Sequence, residues 1–416
     1  MRWKIAILVS AAIAISYLDR QTLPVAVRAI GRDIPLSNEQ FSTLQSAFLL
    51  AYAIMYAGGG RLTDVLGTRR GFTVIMTFWS IACASHALAL SFMMLVFSRF
   101  LLGAGEGGGF PAATRAVAEW FPTHERATAM GIINAGTAVG GIIAPPLIAV
   151  ILSFASWRWI FLITGVLGIA WAMGWRFSYA VPVELPKHGG STNSAEMPAS
   201  TVQNFRWLDL LRLPEAWGLI AAKFLSDAAW YFYLFWLPKY LYDARGFNIK
   251  QVGAYAWIPN AAAGVGCLVG GWFSSYLVRQ HYSLSASRKV ALGLSAAVMP
   301  FIMLVPHLAV SWAIALFSLA YFGQQSWSTL VMVLPTDLFP RRVVGSVAGL
   351  VGFGGAMGGI AFGQFVGYLL DHRVGYSTVF VLAGMLHVIA FLLILVAIPV
   401  FRPDDLERRL VYLGAQ

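Results

Sequence analysis

Four ionisable residues stand inside otherwise apolar stretches of this sequence: Asp19 and Arg20 in one, Arg99 and Glu106 in another. A charge at the centre of a bilayer costs at least ~3 kcal/mol, so such residues mark binding sites or proton pathways by default. A guanidinium grips a carboxylate through two parallel hydrogen bonds. An enclosed carboxylic acid changes its charge as hydration and neighbouring cations change. Together the four support binding of an organic anion coupled to proton exchange. Arg20 is the anchor for the anion's carboxylate, Asp19 and Glu106 are the proton carriers, and Arg99 joins the binding set as the partner that tunes Glu106. The competing reading is that Asp19–Arg20 and Arg99–Glu106 are ion pairs that only hold helices together. Depth favours a shared site: at ~1.5 Å per helical residue, Arg20 lies roughly 13 Å and Arg99 roughly 10 Å below the outer ends of their helices. Glu106 lies roughly 10 Å deeper than Arg99 on the same helical face, with Gly103 between them leaving room for a long side chain.

Other polar residues could line or close such a cavity. Tyr52 and Tyr56 share a helical face, as do Asn134 and Thr137. Tyr231 and Trp236 follow in one later stretch, Trp257 and Asn260 in the next, and Gln324-Gln325-Ser326-Trp327-Ser328 form a polar run in a third. From these, Tyr52, Asn134, Thr137, Tyr231, Trp236 and Gln325 are the expected contacts for a hydroxyl-bearing solute. Lys223 and Asp227, four apart, meet on one face and suggest a gating pair, and Arg115 and Glu119 repeat the spacing. The histidines add little, and His387 in the last stretch is expected to be packed or at the lipid edge. Gly105, Gly107, Gly108 and Gly109 follow no strand and precede no Lys, so they are no phosphate cradle. No nucleotide motif, nucleophile–base set or metal-ligand cluster is present, which argues against ATP as energy source, against a cofactor and against an enzyme.

The elements that position these residues follow from composition. Of 416 residues 58% are apolar and only 11% charged, outside the range of soluble domains and of disordered chains. The net charge of +11 then reflects cytoplasmic loops of a membrane protein rather than nucleic-acid binding. Apolar stretches fall at about 4–29, 40–60, 71–90, 93–119, 127–153, 157–180, 215–238, 250–278, 287–306, 309–333, 342–370 and 375–401, each long enough for a helix across ~30 Å of hydrocarbon. The first follows a basic start but lacks a cleavage site, so it is expected to be retained as a helix. A polar Ser/Asn/Thr-rich segment, 181–213, separates an N-terminal six-helix half (1–180) from a C-terminal one (214–402), with a tail over 403–416. With both termini cytoplasmic, 18 Lys and Arg fall on that side and seven opposite, the direction of the positive-inside bias. Residues 119–141 also match 337–359 at a fixed offset of 218, with Phe121, Pro122, Gly131, Gly136, Ala138, Gly140 and Gly141 identical in both copies. Such parallel repeats belong to transporters that rock two halves around a midplane site. Asn134 aligns with Gly352, so the halves differ at that level.

The segment Gly60-Arg61-Leu62-Thr63-Asp64-Val65-Leu66-Gly67-Thr68-Arg69-Arg70 resembles the signature loop of the major facilitator superfamily, with Val65 in place of the usual basic residue. Tyr17-Leu18-Asp19-Arg20-Gln21-Thr22-Leu23, the run from Arg99 through Glu106 to Pro111, and Glu119-Trp120-Phe121-Pro122 resemble the anion:cation symporter family within it. Phe235-Trp236-Leu237-Pro238-Lys239-Tyr240-Leu241 and Gly246-Phe247-Asn248 resemble its hexuronate and galactonate branch. The resemblance implies an all-α integral membrane protein of twelve helices in two pseudo-symmetric halves. It implies a multi-pass, monomeric inner-membrane transporter importing a small organic anion, a hexuronate or aldonate, with protons. It gives Asp19, Arg20, Arg99 and Glu106 the roles above, and its loop adds Asp64, Arg69 and Arg70 to the gating set that the spacing suggests for Arg115, Glu119, Lys223 and Asp227. Transport of an aromatic or dicarboxylate anion, export by proton antiport, and a non-transporting solute sensor remain open at this stage.

Overall fold

The computed structural model describes residues 2–121, 123–180, 207–339 and 344–399, without the side chains of 57–61, 64, 118, 123–128, 207–209, 336 and 344–346. The expected linker segment 181–206 and tail 403–416 therefore lie outside the described residues. The described chain is helical. In the first half run α1 (Arg2–Asp33), α2 (Asn38–Ser85), α3 (Phe92–Gly107), α4 (Gly109–Trp120), α5 (Thr123–Phe154) and α6 (Trp157–Ser178). In the second run α7 (Pro214–Asp243), α8 (Ile249–Tyr255), α9 (Ile258–Arg279), α10 (Leu284–Ala297), α11 (Val310–Leu338), α12 (Val344–Asp371) and α13 (Tyr376–Ala397). These make twelve crossings. α2 covers the second and third, turning at Gly67, whose φ of 73° is open to glycine and strained for other residues. The fourth crossing is α3 plus α4, the eighth α8 plus α9, and the ninth α10 plus the 3-10 turns Met299–His307.

Eight segments are long and apolar enough to span a membrane on composition alone. The others, namely the first part of α2, the α3–α4 pair, α7 and α11, hold Gln45, Arg99 with Glu106, Lys223 with Asp227, and Gln324. Large apolar side chains such as Ile81, Phe97, Phe177, Leu268, Trp312 and Val396 stand exposed around the bundle. A soluble surface rarely carries so many, and lipid covers them here.

The repeat seen in the sequence is a packing device. A Cβ on Gly136 or Gly140 of α5 would strike the backbone carbonyls of Ser10 or Ala14 on α1. A Cβ on Gly354 or Gly358 of α12 would strike Ile220 or Phe224 on α7 in the same way. Each half thus presses two helices together backbone to backbone through a small-residue stripe, the usual solution where lipid offers no hydrophobic drive. The glycines of α3 act alike: Gly103 lies against Phe48, Gly105 against Trp79 and Gly107 against Tyr52. Gly103 therefore does not leave the expected room for a folded side chain; close approach of α2 occupies it.

The halves meet near the end of the bundle that carries the α1–α2 turn. There the Asp371 carboxylate caps α2, accepting from Asn38 N (2.9 Å), Asn38 Nδ2 (2.7 Å) and Glu39 N (2.8 Å). Tyr242 donates to the Val25 carbonyl at 2.7 Å, Arg28 to that of Phe247 at 3.1 Å, and Gln364 to Ser46 at 2.9 Å. At the other end, where α1 starts and α13 finishes, charged groups pair within their own half. Arg288 of α10 bonds Asp337 of α11 (2.8 Å), and Arg115 and Glu119 stay together on α4 (3.0 Å).

Two outcomes follow. Gly358→Val should lower stability by about 1–3 kcal/mol by overpacking, read as a fall in Tm, whereas Gly131→Ala, with open space at its Cβ, should leave Tm unchanged. Asp371→Ala should add a longer-distance population between spin labels at the exposed positions Arg32 and Lys250; an unchanged distribution would mean that the cap does not hold this end shut.

Candidate functional site

Between the halves, α1 and α3 bring the intramembrane charges together. Glu106 is buried, and its Oε2 accepts from Ser16 Oγ (2.5 Å) and Arg20 Nε (2.8 Å). Its Oε1 is buried with no partner among the described residues. Arg20 lies among aromatic rings, 4.6 Å from the Tyr52 centroid, 4.7 Å from that of Tyr17 and 5.4 Å from that of Phe48. Such faces attract a guanidinium without neutralising it. Only its Nε is engaged; among the described residues its two terminal nitrogens bond to no protein atom, yet they retain accessible surface. The fork that would grip a carboxylate is therefore free of protein partners on a side chain only 4% exposed.

Arg99 departs from its expected role. Its terminal nitrogen donates to Gln45 Oε1 at 2.5 Å, its guanidinium packs 5.1 Å from the Phe48 ring, and Nε and the other terminal nitrogen are buried unpartnered. Arg20, not Arg99, bonds Glu106, so Arg99 acts on the site through space and through Phe48, with no accessible surface for a solute. Asp19 faces away from the cavity. Its Oδ2 accepts from Trp79 Nε1 at 2.6 Å and its Oδ1 from Cys83 Sγ at 3.4 Å, in the layer between α1, α2 and α6.

The expected solute contacts divide. Tyr52 is half-buried beneath Arg20, and Tyr231 of α7 stands half-buried on Gly359, stacked on Phe235 at 5.6 Å. Asn134 is exposed on the α5 face that, at Ala138 and Gly141, meets Gly264 and Asn260 of α9, and Thr137 is spent on the Asn134 carbonyl (2.8 Å). Gln325 is half-buried. Trp236 is not a wall residue: it is 1% exposed and packs edge-on against Phe41 in the closed end. Most of the polar run on α11 is committed to packing, with Ser326 on the Gly266 carbonyl and Gln324 bonded to His387. His387 is buried inside the bundle rather than at the lipid edge.

Among the gating residues, the Asp64 side chain lies outside the described residues. Arg69 donates twice to the Arg176 carbonyl (2.9 and 2.6 Å), and Arg70 is exposed. Glu119 gathers Arg115 (3.0 Å), Thr68 (2.6 Å) and Tyr179. Its counterpart by the repeat, Asp337, holds Arg288; the Glu119–Asp337 alignment carried that signal, although Arg288 did not stand out in sequence. Tyr17 and Ser16 were likewise missed, although both sit one turn before Arg20 on its face.

A family model described as the Major Facilitator Superfamily matches residues 9–363. The chain belongs to this superfamily. Within this superfamily, it is 31% identical over 406 residues to the hexuronate transporter of Escherichia coli strain K12, covering 95% of this chain and 93% of that one. It is 32% identical over 308 residues to the galacturonate transporter of Dickeya chrysanthemi, covering 72% and 89%. It is 29% identical over 386 residues to the D-galactonate transporter of Escherichia coli O6:H1, covering 88% and 89%. Among solved structures, a bacterial homologue of the human lysosomal transporter Spinster, inward-facing and unoccupied, shares the fold with a TM-score of 0.72 at 18% identity, covering 99% of this chain and 98% of that one.

Trp79→Phe removes one of the hydrogen bonds to a buried carboxylate and should cost about 1.5–3 kcal/mol. The fall in Tm should exceed that of Cys83→Ala, whose contact with Asp19 is longer; equal shifts would count against Trp79 as the principal partner of Asp19.

Proposed function

We propose that this chain is a secondary active transporter that imports a monoanionic sugar acid of the hexuronate or aldonate class together with protons, by alternating access. The single observation that carries this reading is Arg20: buried, paired to Glu106 through Nε, with its terminal nitrogens bonded to no protein atom among the described residues. That geometry suits a carboxylate laid across the free fork while Tyr52 and Tyr231 offer ring faces and hydroxyls to the carbon chain. The relatives transporting hexuronates, galacturonate and D-galactonate support the same solute class.

Coupling follows from charge. Asp19 and Glu106 balance Arg20 and Arg99 when both carboxylates are ionised. Each proton added to a carboxylate leaves one buried cation uncompensated, and an incoming anion restores the balance. Proton and anion then raise each other's affinity by the same factor. With the termini cytoplasmic, the end latched by Asp371 faces outward. In the outward-open state Glu106 takes a proton, which removes the charge that competes with the solute's carboxylate for Arg20. Asp19, one layer behind, carries the second proton site. Closure of the outer end and opening of the inner end then deliver the anion and protons to the cytoplasm. No ATP, metal or cofactor enters the cycle, and the solute leaves unaltered.

The test is uptake of radiolabelled glucuronate, galacturonate and galactonate into proteoliposomes under an inward proton gradient. One of them should accumulate. Arg20→Lys, which keeps the charge and loses the fork, should weaken binding at least ~10-fold. Glu106→Gln should exchange solute across the membrane but not accumulate it against a gradient. Absence of uptake for all three, or accumulation by Glu106→Gln equal to wild type, would overturn the proposal.

A further inference from the structure

Charge does not mark a solute contact in the second half. Lys223 and Asp227, expected as a gating pair, are 6% and 7% exposed and lie well inside α7. They bond to each other at 2.9 Å, and Lys223 Nζ donates to Ser328 Oγ at 3.0 Å. The pair is thus satisfied within its own half. A neutral side chain at a seam between the halves stands out instead: Asn260, near the start of α9.

Two seams join the halves, and the pseudo-symmetry makes them counterparts. In one, Gly359 and Gly367 of α12 lie against Leu49 and Ser42 of α2. In the other, Gly141 and Ala149 of α5 lie against Asn260 of α9 and Gly253 of α8. The α12 and α5 positions differ by 218, the offset of the repeat. The facing positions differ by 211. So do the capping boxes Ser37–Gln40 and Asn248–Gln251, which open α2 and α8. Asn260 therefore stands where the other seam has Leu49. An apolar side chain meets the packing need at that place, so packing does not call for an amide, which is costly to bury without partners.

The amide is only half used. Asn260 is 5% exposed, and its Nδ2 donates to the Ala256 carbonyl at 3.2 Å, across the break between α8 and α9. Its Oδ1 accepts from no described residue and keeps accessible surface. That oxygen rests on Gly141, 2.6 Å from where a Cβ would be. On the preceding residue, Gly140, a Cβ would lie 2.8 Å from Tyr17 Cβ, and the Tyr17 ring is 4.7 Å from the Arg20 guanidinium. With consecutive Cα atoms ~3.8 Å apart, Asn260 Oδ1 lies within ~11 Å of Tyr17 Cβ. Depth agrees. Arg20 is thirteen residues from the end of α1 at Asp33, Gly141 thirteen from the end of α5 at Phe154, and Asn260 eleven from the start of α8 at Ile249.

We infer that Asn260 is a specificity-determining residue of the solute site. Its Oδ1 accepts a hydrogen bond from a hydroxyl in the half of a sugar acid's carbon chain that lies away from the carboxylate held on Arg20. This rests on the sugar-acid reading above and deepens it by naming a group that reads a hydroxyl. An amide carbonyl accepts an O–H and gains nothing from a carboxylate, so the acid end goes to Arg20 and the hydroxyl end to Asn260. A solute without that hydroxyl covers Oδ1 and leaves it unpaired, which a site built to bond a hydroxyl penalises. Asn260 thus brings the C-terminal half to a solute held by the N-terminal half.

The test is binding of galactonate, galacturonate and derivatives of each lacking a single chain hydroxyl, measured by calorimetry on the purified full chain. In wild type, a derivative lacking one hydroxyl far from the carboxylate should bind about 5–10-fold more weakly than its parent. Asn260→Ala should weaken the parent by the same factor and leave that derivative at its wild-type affinity, so that the two bind alike. Asn260→Leu, which copies the packing of the other seam, should do the same. Retained binding of the derivative certifies the fold. A loss shared equally by the parent and every derivative, as a purely structural role at the α8–α9 break would give, overturns this inference. So does a parent-to-derivative ratio that neither variant changes for any distal hydroxyl. Both outcomes leave the sugar-acid reading standing, whereas a wild type that binds neither galactonate nor galacturonate overturns that reading as well.

Discussion

Charge balance inside hydrocarbon is the constraint on which the rest of this structure depends. Removing one member of a buried, hydrogen-bonded ion pair costs about 3–5 kcal/mol, a large part of a protein's total stability. Glu106 must therefore stay within reach of Arg20 and Ser16, and Asp19 within reach of Trp79. Those partners come from three different helices, so their spacing has to be fixed to a fraction of an ångström. The glycines do this. With Gly103 seated on Phe48 and Gly105 on Trp79, α3 is pressed between the two arms of α2, and with Gly140 seated on Ala14, α1 is pressed onto α5. Backbone contact leaves no rotamer to adjust, so the charges inherit the rigidity of the scaffold.

The same rule separates the strong contacts from the weak ones. The buried ion pairs lie within each half, while close packing also crosses between the halves where Gly367 of α12 lies against Asn38 and Glu39 of α2. Between the halves, among the described residues, the hydrogen bonds are links to carbonyls, the Asp371 cap and an amide–hydroxyl contact, worth about 0.5–1.5 kcal/mol net where neutral and about 1.5–3 where Asp371 or Arg28 takes part. At the end where the chain's charged loops lie, Glu119 and Asp337 satisfy their arginines without crossing between the halves. Neither pair has to be broken when that end opens.

The architecture was legible in the sequence because its signals are one-dimensional: apolar stretches of membrane-spanning length, and a repeat whose matches are the contact glycines. Depth along a helix follows from counting residues, but it set Arg20 level with Arg99 and Glu106 deeper, so it did not single out the bond between Arg20 and Glu106. What counting cannot supply is rotation about the helix axis. Arg99 and Arg20 lie at similar depth, and only the packing of α2 decides that Arg20 turns to Glu106 while Arg99 turns to Gln45. Asp19, next to Arg20 in sequence, faces the opposite layer for the same reason. Trp236 shows a second limit, since an aromatic residue in a closed interface and one on a cavity wall have the same sequence appearance. His387 shows a third: its partner Gln324 lies 63 residues away on α11, and no local pattern on the last helix announces it.

The two halves share a scaffold but not a charge pattern, and the difference is instructive. By the register of the glycine contacts, the positions on α7 that match Asp19 and Arg20 are Ala229 and Trp230. The charges of α7 stand instead at Lys223 and Asp227, which match Ile13 and Tyr17 on α1. Had both halves kept charges at equivalent positions, like charges would face each other across the pseudo-twofold axis and repel in a medium that screens them poorly. Shifting the C-terminal pair along its helix sets a carboxylate against a tyrosine rather than a cation against a cation. The offset also leaves the two halves with chemically distinct cations, a guanidinium on α1 and an ammonium on α7. A symmetric scaffold thus carries an asymmetric set of charges.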